Sequence, residues 1–178
     1  MWCRRGTAVL AALLLAGACH GARAAERSDE NEVKAAVIYN LLLFVDWPAQ
    51  ASPGGNFHLC VMDDGALTTA LRRHEGRAVH GQALRIHRVG TTPEELDACA
   101  AAMVEAGNPG VLARLVALAH SRALLVIAEG AGAAERGAAV GLRTDGGRVT
   151  FDINHGVMKK SGLLPSSKIL RLARTLIE

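Results

Sequence analysis

Pro109-Gly110-Val111-Leu112-Ala113-Arg114-Leu115-Val116-Ala117-Leu118-Ala119, followed by Ala123-Leu124-Leu125-Val126-Ile127, places a helix directly before a short, wholly apolar strand. A strand that is apolar at every position is buried on both faces, as parallel strands between helical layers are. Upstream, Leu84-Arg85-Ile86-His87-Arg88-Val89 alternates strictly and reads as a strand with one wet face. Phe57 to Met62 is another short apolar run, stopped by Asp63-Asp64-Gly65, and Ala66 to His74 follows as a helix. From Asn31, the apolar positions Val33, Ala36, Val37, Leu41 and Phe44 recur with Asn40 at three and four residues, predicting a helix that Pro48 ends. Thr92-Pro93-Glu94-Glu95 resembles a helix start. Cys99 to Val104 stays open between helix, for its alanines, and strand, for its position after a turn. Downstream, Ala138–Arg143 and Arg148–Ile153 flank Thr144-Asp145-Gly146-Gly147, a hairpin signal. A helix is expected over His155–Ser161. A last one opens at Pro165-Ser166-Ser167 and runs to Ile177. Strands alternate with helices and a hairpin follows, so the expected class is α/β. It is a single-domain sandwich with a mixed β-sheet flanked by helices, parallel in its first half.

The amino end has the layout of a secretory signal: Arg4 and Arg5, then the uncharged run Ala8–Ala18, then Ala22-Arg23-Ala24 as a cleavage site. The apolar run is shorter than the roughly 20 residues that a bilayer span needs. A lipid anchor at Cys19 is the alternative. Cleavage after residue 24 leaves residues 25–178 as one domain. It lowers the basic count from 20 to 17, equal to the 17 acidic residues. A neutral chain gives no electrostatic reason to expect nucleic acid or an anionic membrane as partner. Cys60 and Cys99 remain, either as a disulfide, expected in an oxidising compartment, or as two buried thiols. A disulfide closing a loop of this length would stabilise the fold by about 4 kcal/mol. The Ala/Gly-rich stretch Gly130–Gly141 reads as a loop.

No catalytic constellation is legible: GxSxG, P-loop, HExxH and GxGxxG patterns are all absent from the sequence. His58, His74, His80, His87, His120 and His155 include no pair three or four apart on one helix, so each reads as a surface or satisfied core histidine. Asp63-Asp64 stands at a strand end, where α/β sheets bind ligands, although a strand-stopping turn is the simpler reading. Gly107-Asn108-Pro109-Gly110 reads as an ordinary loop and cap. Asp152 reads as a solvated surface charge. Tyr39, Phe44 and Trp47 belong to a core stripe that could also edge a groove for a small aromatic ligand.

Three segments together resemble one family. Val33-Lys34-Ala35-Ala36-Val37-Ile38-Tyr39-Asn40-Leu41-Leu42-Leu43-Phe44-Val45-Asp46-Trp47-Pro48 resembles the opening helix of the YfiR-like periplasmic proteins. Leu59-Cys60-Val61-Met62 resembles their first strand. Val149-Thr150-Phe151-Asp152-Ile153-Asn154 with Ser166-Ser167-Lys168-Ile169-Leu170-Arg171-Leu172-Ala173-Arg174 resembles their closing strand and helix. The resemblance implies a non-catalytic periplasmic repressor without a cofactor. Such a protein binds the periplasmic sensor domain of an inner-membrane diguanylate cyclase, lowering cyclic di-GMP and biofilm formation. It also implies an outer-membrane lipoprotein that sequesters the repressor, and a homodimer. By the same resemblance Cys60 and Cys99 form the long-range disulfide, and Cys99–Val104 becomes a strand. The family's second, local disulfide has no counterpart, because Ala133–Gly141 contains no cysteine. The partner-facing patch falls on Val140, Asp152 and Met158, so Asp152→Lys is expected to weaken repression without unfolding the protein. The alternative is a small-molecule module that binds an aromatic ligand and has no cyclase partner. An exported hydrolase with a site assembled from distant loops is the weakest reading.

Overall fold

The computed structural model describes residues 29–48, 55–105, 108–119 and 121–178. The signal and Cys19 readings fall on residues 1–24, outside the described residues. Helix α1 (29–44) runs into the two-residue strand β1 (Val45–Asp46). It is followed by β2 (Asn56–Val61), helix α2 (Ala66–Arg72), β3 (Ala78–Val79) and β4 (Gln82–Arg88). Next come β5 (Ala101–Val104), helix α3 (Pro109–Ala119), β6 (Leu125–Glu129), and the hairpin of β7 (Val140–Asp145) and β8 (Arg148–Asn154). Helix α4 (His155–Lys160), β9 (Leu164–Pro165), helix α5 (Ser167–Leu172) and β10 (Thr175–Ile177) complete the chain. β1 and β9 pair antiparallel, and the other eight strands form one sheet in the order β10-β8-β7-β6-β5-β2-β4-β3. The run β4-β2-β5-β6-β7 is parallel throughout, and the β7–β8 and β3–β4 pairs are antiparallel. The mixed α/β sandwich read from the sequence is therefore the fold.

The sheet is buried on both sides. Ala101, Met103, Leu125 and Ile127 face a core shared with Ile38, Leu41 and Leu42 of α1 and Leu67 and Leu71 of α2. Ala102, Val104, Val126 and Ala128 face a second core with Leu112 and Leu115 of α3. This accounts for the unbroken apolar runs, because a polar side chain on either face would be desolvated without a partner. β4 lies near the sheet margin, and there the expected alternation appears: Leu84 and Ile86 are buried while Arg85 and His87 are exposed. Past β3, side chains cap the outer edge of β4: Arg72 donates to the Ile86 carbonyl at 3.4 Å and the Ile86 N–H donates to Glu75 at 3.5 Å. Charged groups in this position protect an open strand edge from pairing with another chain.

Several elements depart from the expectation. Helix α1 has the expected period but another phase: Ala35, Ile38, Leu41 and Leu42 line the buried face, while Val33 is 49% exposed and Asn40 is exposed. The segment is apolar nearly all round, so spacing alone did not select a face. Thr92–Glu95 opens a set of turns over 93–98 instead of a helix, with N–H groups bonding three residues back. Cys99–Val104 is a strand from Ala101 onward. The final helix stops at Leu172, because Ala173 is extended (φ −63°, ψ 137°) and Thr175–Ile177 add a parallel strand beside β8. The β7–β8 hairpin turns at Gly146-Gly147, both with positive φ (55° and 76°), one residue later than Asp-Gly. The Ala/Gly-rich loop is packed, not free: Ala133, Ala134, Ala138 and Ala139 are buried, and a Cβ on Gly141 would lie 3.0 Å from the Ala134 backbone nitrogen.

Cys60 in β2 and Cys99 just ahead of β5 are disulfide-bonded, with their Cα atoms 5.8 Å apart and a sequence separation of 39. The C60S/C99S double variant is expected to lose about 4 kcal/mol of unfolding free energy, read by urea denaturation of the oxidised wild type against the variant.

Candidate functional site

In an open parallel sheet, ligands sit beyond the carboxyl ends of the strands, where successive connections leave toward opposite faces. Here that point lies between β2 and β5, since β2 leads to α2 on one face and β5 to α3 on the other. The chain occupies this crevice itself. Glu105, the residue after β5, accepts the Thr68 N–H of α2 at 3.0 Å. Gly65 leaves room for that carboxylate, because a Cβ there would collide with it. The Thr68 hydroxyl donates to the Asp63 carbonyl at 2.8 Å, and Asp64 pairs with Arg88 at 3.0 Å and Arg72 at 3.4 Å. Asp63-Asp64 is thus a turn and a clasp between α2 and β4. Glu105 was missed, and its only sequence signal was a glycine at the start of a helix.

Two cavities adjoin this edge. One, of about 260 Å³, lies among Val104, Asn108, Leu112, Ala128, Glu129 and Arg136. The other, of about 220 Å³, is lined by Glu30, Lys34, Glu129, Arg143 and Thr144. In the second, Lys34 is bonded to both Glu129 and Glu30. Burial alone would push the Lys34 ammonium down, but the hydrogen bonds to Glu129 and Glu30 outweigh it and hold it above its ordinary value. Asn108 accepts the Val111 N–H at 3.2 Å, the cap expected ahead of α3. Among the described residues no three His, Cys, Asp or Glu side chains gather as for a metal.

The rings of the aromatic residues named as a possible groove are engaged within the fold. Tyr39 is buried, stacks on His74 at 5.1 Å, lies under Arg77 and donates to the Ala78 carbonyl at 2.8 Å. Trp47 donates to the Ala100 carbonyl at 3.0 Å and meets Phe57 edge-on. Phe44 lies under the Lys168 ammonium.

The structure brings Val140, Asp152 and Met158 to one end of the fold and buries all three, at 0%, 2% and 0% exposure. Val140 and Met158 belong to the first core, while Asp152 pairs in register with Gly141 on the opposite face. Asp152 is therefore not the solvated surface charge expected, and none of these side chains is presented to a partner in this conformation. Asp152 instead fastens the end of the chain. Its Oδ2 accepts from Arg174 at 2.8 Å, the Arg174 N–H donates to the Phe151 carbonyl at 2.8 Å, and Thr175 sits beside Asp152 in the sheet. Its other oxygen has no hydrogen-bond partner among the described residues. The bond to Asp152 holds the Arg174 guanidinium still more firmly protonated. Asn154, unnoticed in the sequence, caps α4 by accepting the Val157 N–H at 2.9 Å and donates to the Ala134 carbonyl at 3.0 Å. The last residue, Glu178, bonds His155 at 3.3 Å and Lys159 at 3.2 Å, and these hold its carboxylate below the ordinary range. Gly156 admits this approach, since a Cβ there would come within 2.9 Å of the Glu178 backbone. What this end does show to solvent is Leu172 (63%) and Leu176 (43%), with Leu164 (64%) preceding them.

A family model described as YfiR/HmsC-like matches residues 31–174. The chain belongs to the YfiR/HmsC-like family. No curated relative matches it. The matched span runs from the first turn of α1 to Arg174, the residue that locks onto Asp152.

Asp152→Lys would bury an ammonium beside Arg174, so it is expected to unfold this end of the protein and not to isolate a binding defect. Arg174→Ala, which strands a buried carboxylate, should lower the melting temperature more than Asp152→Asn, and the double variant should be less destabilised than the sum of the two. A thermal double-mutant cycle giving additive losses would remove Asp152–Arg174 as the clasp.

Proposed function

We propose that this protein is a periplasmic regulatory binding protein. It represses an inner-membrane diguanylate cyclase by binding its periplasmic sensor domain, lowering cyclic di-GMP and biofilm formation. The observation that carries the reading is the YfiR/HmsC-like match over residues 31–174, in a family known for regulating such cyclases. The physics of the chain suits the role. Glu105 bonds across the crevice where an α/β sheet takes a ligand, and no described helix is long and apolar enough to cross a membrane. Repression needs no reacting group; binding the inactive state of the target about 3 kcal/mol more tightly shifts its balance over a hundredfold.

The contact surface is assigned to the exposed apolar side chains of the closing segment, Leu172 and Leu176, with the half-exposed Arg174 between them. Apolar anchors with a polar rim are the ordinary composition of a regulatory interface. Val140, Asp152 and Met158 then act beneath this surface, by setting where α5 and β10 lie. An outer-membrane lipoprotein that sequesters the repressor would compete for the same side chains. The aromatic-ligand reading draws no support from Tyr39, Phe44 and Trp47, whose rings are engaged within the fold.

Deleting the gene is expected to raise cellular cyclic di-GMP, and restoring it to reverse the rise. Restoration with a Leu172→Asp, Leu176→Asp variant, folded by circular dichroism and present at the wild-type level, should fail. An unchanged cyclic di-GMP level in the deletion strain would contradict the reading.

A further inference from the structure

The parallel pairing of β2 with β4 sets His58 beside Arg85 and Cys60 beside His87. His58 and His87 consequently project from the same face of the sheet, diagonally across one ladder and next to the Cys60–Cys99 disulfide. Their rings stack with centroids 5.0 Å apart at an interplanar angle of 23°. We propose that His58 and His87 together bind a divalent transition-metal cation, Cu²⁺ in preference to Zn²⁺, with water filling the other coordination positions.

Four observations support this site. The first is distance. Two imidazole nitrogens each about 2.0–2.1 Å from one ion, in neighbouring coordination positions, put their ring centroids about 4.5–5 Å apart, close to the observed spacing, and turning the stacked rings so that their nitrogens converge would complete the chelate. The second is protonation. Burial, then the neighbouring His87 and Arg85, holds the His58 imidazole below its ordinary pKa, which leaves it in the neutral form that ligates. The third is rigidity. Both residues sit in adjacent strands tied together by the sheet ladder, and β2 is linked to β5 by the disulfide, so chelation orders little that is not already ordered. The fourth is availability. His87 is exposed, and His58 is half-exposed. By contrast His74 is bonded to Arg77 at 2.8 Å, His80 to the Leu42 carbonyl at 2.9 Å, and His155 to Glu178. Arg85 is the adverse charge on this face, and its Nε donates to Asn56 at 3.3 Å. Imidazole ligands suit copper and zinc, and copper binds the more tightly of the two by the usual order of divalent affinities. With two protein ligands and open water positions, the site resembles a loading or sensing site more than a closed structural one.

The test is a titration of CuCl₂, and separately ZnCl₂, into the oxidised, tag-free mature protein by isothermal calorimetry at pH 7.5. Electron paramagnetic resonance of the copper form accompanies it. One ion per chain is expected, with nitrogen couplings from two imidazoles in the copper spectrum. His58→Gln and His87→Gln should each weaken binding by about tenfold or more. His87 is exposed, so H87Q should keep its fold even if H58Q does not. A folded H87Q chain that binds copper as tightly as wild type, or wild-type protein that binds neither ion, would overturn the proposal.

Discussion

The fold depends on the burial of β5 and β6 from both sides at once. Every residue of β5 and the first four of β6 are buried, alternating between a core under α1 and α2 and a core under α3. A strand in that position cannot carry a charge, can pair only with neighbours covered in the same way, and needs a helical crossover to reach the next parallel strand. The remaining features follow from it. The disulfide fixes β2 against the entry to β5, the small side chains of the Ala133–Ala139 loop close over Gly141, and charged groups move to the sheet ends.

Those ends differ. At the carboxyl end of the parallel strands, ionic groups are neutralised within the chain: Glu105 bonds across the crevice, Lys34 joins Glu129 and Glu30, and Asp64 joins Arg72 and Arg88. At the other end, Asp152 ties Arg174 and Glu178 ties α4, so the last strand is held to the sheet by side chains as well as by the ladder. This holds a rigid body whose closing segment displays leucines. The arrangement suits a protein that works by being bound.

The sequence was most legible where a single burial rule applied. The helix Pro109–Ala119 was read with its true ends, and Ala123–Ile127 and Leu84–Val89 declared two-sided and one-sided burial directly. The phase of α1 was not legible, because an apolar circumference offers several faces and the partner sheet chooses among them. β10 was hidden for a related reason: Thr175–Ile177 continue a helical pattern, and only the free edge of β8 draws them into a strand. The resemblance named Val140, Asp152 and Met158 by position alone, and whether a side chain faces partner or core depends on the rotation of its strand or helix, which positional matching does not carry. Glu105 was invisible because its role arises from β5 and α2 meeting across a crevice, 37 residues apart in sequence.

The most direct test is binding of the oxidised protein, residues 25–178, to the purified periplasmic domains of the host's membrane diguanylate cyclases, with amide hydrogen exchange on the complex. The account predicts a saturable complex with at least one of them, in which the amides of Leu172–Ile177 gain protection. Failure to bind any of these domains, or a complex whose protection leaves Leu172–Ile177 unchanged, would contradict it.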